Sequence, residues 1–206
     1  KMAYTGMSDG VLGEGIANRA IALTAAGSDA RMAGAMLACM SNSGSGNQGI
    51  TATMPVVAVG EKLGLDGEKI IRGVALSNLF SIYIKERFGV LSALCGATVA
   101  ATGASAGITY ILGGDSKKIK MSVKNMIGNL GGIICDGAKP GCALKVANCA
   151  GSAVNSALLA IKGQEIHGDE GIVADTAEAT IDNYCRISRA CSGELDKAIM
   201  DHMVRT

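Results

Sequence analysis

Tryptophan is absent, aromatic residues make up 3% of the 206, and the chain holds only two prolines and two histidines. A core built without large rings must be filled by small and aliphatic side chains. No Cys-x-x-Cys pair occurs, and only His167 and His202 offer imidazole, so a structural zinc site is poorly supported. An excess of charge is missing too. With 19 basic and 18 acidic residues the formal net charge is +1, and without a basic run nothing marks a nucleic-acid surface. The N-terminus lacks the basic region, apolar run and small-residue cleavage site of a secretory signal. It opens on Lys1 ahead of Met2, which reads as a processed piece whose upstream part is missing. The one uncharged stretch of membrane-spanning length, Val90 to Leu112, is mostly Ala, Gly, Ser and Thr, so a buried helix is expected and no membrane.

Glycine and cysteine are what the chain does have. The 29 glycines are roughly twice ordinary usage. Small residues let helix backbones approach closely, and such helices are compatible with a homodimer. Seven cysteines, an odd number scattered over a long chain, read as thiols in a reducing compartment, the cytoplasm. Length suits one compact domain over residues 1–206.

Apolar residues recur at helical spacing, and no segment alternates convincingly as a strand. The fold class expected is therefore all-α, a compact multi-helix domain with glycine-rich loops forming the site. Helices are expected from Gly15 to Ala26, stopped by Gly27, and from a Ser28 cap to about Met40. Others are expected from Asp66 to Arg87 ended by Gly89, then Val90 to Leu112, Lys118 to Leu130, Cys142 to Ile161 and Ile172 to Arg189. Gly193 to Val204 follows, with Ser192 as its cap and Glu194 in its first turn; Lys162 to Gly171 reads as a surface loop.

Two segments carry chemistry. In Ser41-Asn42-Ser43-Gly44-Ser45-Gly46-Asn47-Gln48-Gly49, closely spaced glycines allow successive N–H groups to converge on an anion, and Ser, Asn and Gln add donors. If Gly49 or Ile50 opens a helix, its positive end faces the same point, which suits the carboxylate of a small substrate. Gly44, Gly46 and Gly49 also match G-x-G-x-x-G, with Asp66 about 20 residues beyond Gly46, but a dinucleotide site needs a strand before the loop. A polar linker between helices is the plain alternative.

The second segment runs from Gly131 to Cys142, where Cys135 and Cys142 bracket a glycine-rich turn; Cys95 lies upstream. Three thiolates can hold a metal or cluster and leave one position free. Free cysteine is also a common small core residue, the reading that fits Cys39, Cys149, Cys185 and Cys191. Asp136, Lys139 and Lys145 stand beside the two thiols, either as solvated loop charges or as groups that offset a thiolate cluster.

Together, Ser41 to Gly49 and Cys135-Asp136-Gly137-Ala138-Lys139-Pro140-Gly141-Cys142-Ala143-Leu144-Lys145 resemble the α-region of iron–sulfur L-serine dehydratases, most closely the L-cysteine desulfidase branch. The resemblance covers nearly the whole chain. It implies a [4Fe–4S] cluster on Cys95, Cys135 and Cys142, since the long first interval and short second one follow the desulfidase pattern, whereas the serine dehydratases have a longer second interval ending in Pro-Cys. It also implies an open iron acting as Lewis acid on the β-substituent of L-cysteine or, as second choice, L-serine. Loss of that group and of the α-proton would give an aminoacrylate that hydrolyses to pyruvate and ammonia. Ser41, Asn42, Ser43, Gly44, Ser45, Gly46, Asn47 and Gln48 would bind the substrate carboxylate, with Asp136 or Lys139 orienting its amino group. Family members look about twice this length. The expected partner is therefore the missing N-terminal half, or a separate β-subunit, carrying the proton-transfer groups. A domain that binds amino acids without a cluster is the noncatalytic alternative.

Overall fold

Ala97 to Thr109 are buried without interruption, so one helix of small residues forms the axis around which the others pack. The computed structural model describes residues 13–89 and 92–204. Among them are eight helices: α1 (Ile16–Met32), α2 (Gly46–Lys62), α3 (Gly67–Phe88), α4 (Gly96–Ile111), α5 (Ser116–Asn129), α6 (Cys142–Ile161), α7 (Ala177–Cys191) and α8 (Glu194–Val204). No strand occurs among the described residues, only two isolated bridges, and the architecture is all-α.

The axial helix is α4, and it separates two cores. Ala97, Ala101, Ala104, Ile108 and Ile111 join Ala20, Val56, Val59, Met126, Cys149 and Val154 on one side. On the other, Val99 and Ala106 meet Ile84, Phe88, Val123, Ile127, Ile181, Tyr184 and Cys185. Contact between α3 and α4 is especially close. A Cβ at Gly103 would overlap the Ser77 carbonyl and the Ser81 hydroxyl, and one at Gly107 would strike the Gly73 carbonyl. The buried hydroxyls of α3 are satisfied nearby: Ser77 donates to the Ala52 carbonyl of α2 at 2.6 Å, and Ser81 to the Ser77 carbonyl of its own helix at 2.8 Å.

Several boundaries differ from expectation. Helix α1 does not stop at Gly27. It runs through to Met32, because Gly27 lies against Ile50 and the buried Ser28 turns its hydroxyl to Asn47 Oδ1 at 3.2 Å instead of capping a new helix. The expected helix to Met40 is replaced by an irregular segment after Gly34, which adopts φ +82. Met36 and Leu37 are exposed there, and Cys39 is exposed rather than packed. Helix α4 begins at Gly96, not Val90; residues 90 and 91 lie outside the described residues, and the residues just before Gly96 are held extended. Helix α7 starts at Ala177 under a Thr176 cap, since Thr180 Oγ1 accepts from the Ala174 N–H and keeps that approach irregular. Ser192 ends α7 and donates back to the Ser188 carbonyl, while Asp196 accepts from the Gly193 N–H at the start of α8. Asp66, by contrast, caps α3 through the N–H groups of Glu68 and Lys69.

One described helix, Cys142–Ile161, is long and apolar enough to cross a membrane by length and composition, and 50% of that window is buried inside the fold. It packs on α1, α4 and α5.

Gly103→Val should cost about 1–3 kcal/mol, because neither Ser77 nor the α3 backbone has room to retreat. Urea unfolding measures this; a midpoint equal to that of the unsubstituted chain would contradict the close-approach account.

Candidate functional site

Cys95 and Cys135 are brought side by side by their backbones. The Cys95 N–H donates to the Ile133 carbonyl at 2.7 Å and the Cys135 N–H to the Ala93 carbonyl at 2.6 Å, a reciprocal pair that clamps the approach to α4 against the glycine-rich turn. From one side Thr98 braces the clamp: its hydroxyl donates to the Cys95 carbonyl at 2.8 Å and lies 2.7 Å from the buried Tyr184 hydroxyl. Cys142 is the first residue of α6, and the turn folds back so that the Lys139 N–H points at its sulfur at 3.4 Å.

All three thiols are half-buried and free, and all three line one cavity of about 190 Å³. Ser45, Asn47 and Gln48 also line it, with Gly96, Ala97, Gly137, Ala138, Leu94, Ser92, Val146 and Lys85. The N-terminal turns of α2, α4 and α6 therefore meet here. Neither α4 nor α6 has a side-chain cap, so the partial positive charge of their first N–H groups is left to the cavity.

The serine–glycine loop divides its labour. Asn42 and Ser45 exchange backbone hydrogen bonds across Ser43 (φ +50) and Gly44 (φ +83), a tight turn that requires positive φ at both central residues. Asn42 then donates to Asn78 Oδ1 at 2.9 Å, and Ser43 donates to Asn42 Oδ1. Neither lines the cavity, nor do the exposed Ser41, Gly44 or the buried Gly46. Helix α2 opens at Gly46, three residues before Gly49, with Ser45 accepting from the Gln48 N–H at 3.4 Å. Asn47 is anchored by Ser28 and by Arg31 at 3.3 Å. Gln48 lies against Gly96, where a Cβ would overlap its amide, and its Oε1 is buried without a partner. An irregular segment, not a strand, precedes the loop, so the dinucleotide fingerprint lacks its structural context.

Asp136 and Lys139 form an ion pair on the outer flank of the turn, and Lys145 joins them, 2.7 Å from both Asp136 Oδ1 and the Ile134 carbonyl. Lys139 and then Lys145 hold the Asp136 carboxyl well below the usual carboxylate range. Asp136 and Lys139 lie outside the cavity lining.

Lys85, on α3, was not legible as a site residue because Lys85-Glu86-Arg87 reads as a solvated helix end. Only 6% of it is exposed. Its helical register is the available signal, since it continues the buried positions Ser77 and Ser81 at intervals of one turn.

The thiols are not electrostatically equal. Cys135 accepts a hydrogen bond from Cys95, which with the Gly137 N–H and the Lys145 charge lowers it to about 6 against burial; Cys95, as donor and more buried, is pushed up. Cys149, in the core, rises to about 12 through burial alone. Neither His167 nor His202 lines the cavity, and among the described residues no group of three His, Cys, Asp or Glu is spaced for a single metal ion. The three thiols, with backbone N–H groups directed at their sulfurs, offer the donor chemistry that a thiolate-held cluster needs.

In metal-free protein, alkylation of Cys135 should rise with pH through about 6, because a lowered thiol pKa leaves the reactive thiolate populated near neutrality. Peptide-resolved alkylation rates measure it; a midpoint at the ordinary 9.0 would contradict the shared-proton geometry.

A profile of the family described as "Serine dehydratase alpha chain" matches residues 2–201. Among relatives, a UPF0597 protein of Photobacterium profundum is 54% identical over 195 residues, 95% of this chain and 46% of its own length. Another from Shewanella halifaxensis is 52% identical over 95% of the chain and 45% of its own length, and one from Bacteroides thetaiotaomicron is 49% identical over 94% and 45%. The chain thus spans a little under half the length of these relatives. No solved structure matches. By sequence, and with the all-α architecture beneath it, this chain belongs to the serine dehydratase alpha chain family.

Proposed function

We propose that the chain is the cluster-binding part, as one domain over 1–206, of an iron–sulfur lyase that eliminates the β-substituent of a small amino acid. L-Cysteine is the proposed substrate, with pyruvate, ammonia and sulfide as products. One observation carries the reading: the free thiols of Cys95, Cys135 and Cys142 open on one small cavity where three helix N-termini meet. Those three thiolates would hold a [4Fe–4S] cluster, and when bound it supplies a Lewis-acidic iron for the β-substituent.

The chain's own residues supply binding and exclusion of water. Ser45, Asn47 and Gln48 face the cavity and meet the head of the amino acid, while Leu94, Ala97 and Val146 give it an apolar wall. Asn42, Ser43 and Gly44 set the turn that aims this end of α2. Asp136, paired with both Lys139 and Lys145, braces the cysteine turn, in place of a direct hold by Asp136 or Lys139 on the substrate amino group. The α-proton acceptor is assigned to the missing N-terminal half or to a separate β-subunit, since the chain spans a little under half the length of its relatives. Free thiols at the centre of the site suit a reducing cytoplasm. Elimination from L-serine is the second reading, favoured by the description of the matching family.

Anaerobic reconstitution with iron and sulfide should load about four irons per chain. Cys95→Ser, Cys135→Ser and Cys142→Ser should each abolish that loading, whereas Cys39→Ser, exposed and outside the cavity, should not. Equal loss from all four variants would refute the ligand set. With the full-length protein, sulfide from L-cysteine is expected; pyruvate from L-serine without sulfide from L-cysteine would select the second reading.

A further inference from the structure

Among the described residues two lysines are almost fully buried, Lys85 at 6% exposure and Lys124 at 4%. Lys124 has the company a buried cation needs: Glu165 Oε2 at 3.2 Å and the Asp175 carbonyl at 3.3 Å. Lys85 has no carboxylate in ion-pair reach among the described residues; its ammonium stands over the Phe88 ring at 5.0 Å, and the Cys135 and Cys95 thiols favour its charge without offsetting its burial. A buried ammonium supported only by thiols is stabilised further by a carboxylate placed beside it. Lys85 lines the cysteine cavity, so the completing anion has access from there.

Gln48 presents the complementary deficit. It is 7% exposed, lines the same cavity, and its Oε1 is buried with no donor in reach. Gly96 fixes this amide in place, since any side chain there would displace it. A buried cation and an unfilled acceptor thus border one small space beside the N-terminus of α2. A zwitterion with a carboxylate and an ammonium on one carbon satisfies both.

We propose that Lys85 and Gln48 form the head-group site for an α-amino acid, Lys85 pairing with its carboxylate and Gln48 Oε1 accepting from its ammonium. The inference deepens the lyase reading and rests on it for the choice of amino acid, but it makes a separate demand. Recognition of the head group must fail in these variants while the cysteines still take up iron.

Calorimetric titration of the anaerobically reconstituted chain with L-alanine, L-alaninamide and L-lactate tests it; L-alanine carries the head group without a leaving group. The unsubstituted chain should prefer L-alanine over both analogues by about 30-fold. Lys85→Met should erase the preference over L-alaninamide, and Lys85→Arg should keep most of it. Gln48→Met should erase the preference over L-lactate. All three variants should load iron as the unsubstituted chain does. Lys85→Met should also unfold in urea at an equal or higher midpoint, because it removes a charge whose burial outweighs the support of the two thiols. Retained acid-over-amide preference in Lys85→Met, or lost iron uptake, would overturn the proposal; the latter would make Lys85 a counter-ion of the thiolates. Absence of any preference in the unsubstituted chain would overturn it as well. Failure of iron uptake by the unsubstituted chain would instead strike the cluster reading, and the same titrations on iron-free protein would still decide the head-group site.

Discussion

Two backbone hydrogen bonds, Cys95 N–H to the Ile133 carbonyl and Cys135 N–H to the Ala93 carbonyl, join segments separated in the chain by α4 and α5: the entry to the axial helix and the glycine-rich turn after α5. Because α4 is buried along its length, its N-terminus cannot drift, and the clamp transfers that rigidity to the cysteine turn. Helix α6 then starts where the turn ends, so Cys142 inherits its position from the same clamp. The Thr98 to Tyr184 contact ties it in turn to the second core. A site built in this way is preorganised by packing rather than by the ligand it receives.

Electrostatics gives the cavity its sign. Three helix N-termini and the buried Lys85 all favour negative charge, and the cavity lining contains no carboxylate to neutralise them. Thiolates, and the carboxylate of the proposed amino-acid substrate, are anions that suit such a lining. Asp136, the acid nearest in sequence, is already committed to Lys139 and Lys145 on the outside of the turn. Keeping that charge outside preserves the anion preference within.

Much of this was legible in the sequence where the chemistry is local. Asp66 and Gly89 mark the ends of α3, the small-residue stretch before Leu112 is the buried axis, and Cys142 to Ile161 is a helix. What failed was punctuation that tertiary contacts override. Gly27 reads as a stop, yet packing against Ile50 carries α1 past it, and Ser28 spends its hydroxyl on Asn47. The loop from Ser41 to Gln48 reads as one binding surface, but the positive φ values at Ser43 and Gly44 turn Asn42 toward Asn78 and leave Ser45, Asn47 and Gln48 at the cavity. Lys85 was hidden because a lysine in a charged helix end is ordinarily solvated, and only the packing of α3 on α4 shows otherwise.

The most direct test of the central claim is Mössbauer spectroscopy of chain reconstituted with iron-57, recorded before and after addition of L-cysteine. Three thiolate ligands leave one iron without a protein ligand, so about a quarter of the iron absorption should move to new parameters while the remainder stays in place. Four equivalent irons that ignore the amino acid, or a mononuclear iron signal, would contradict it.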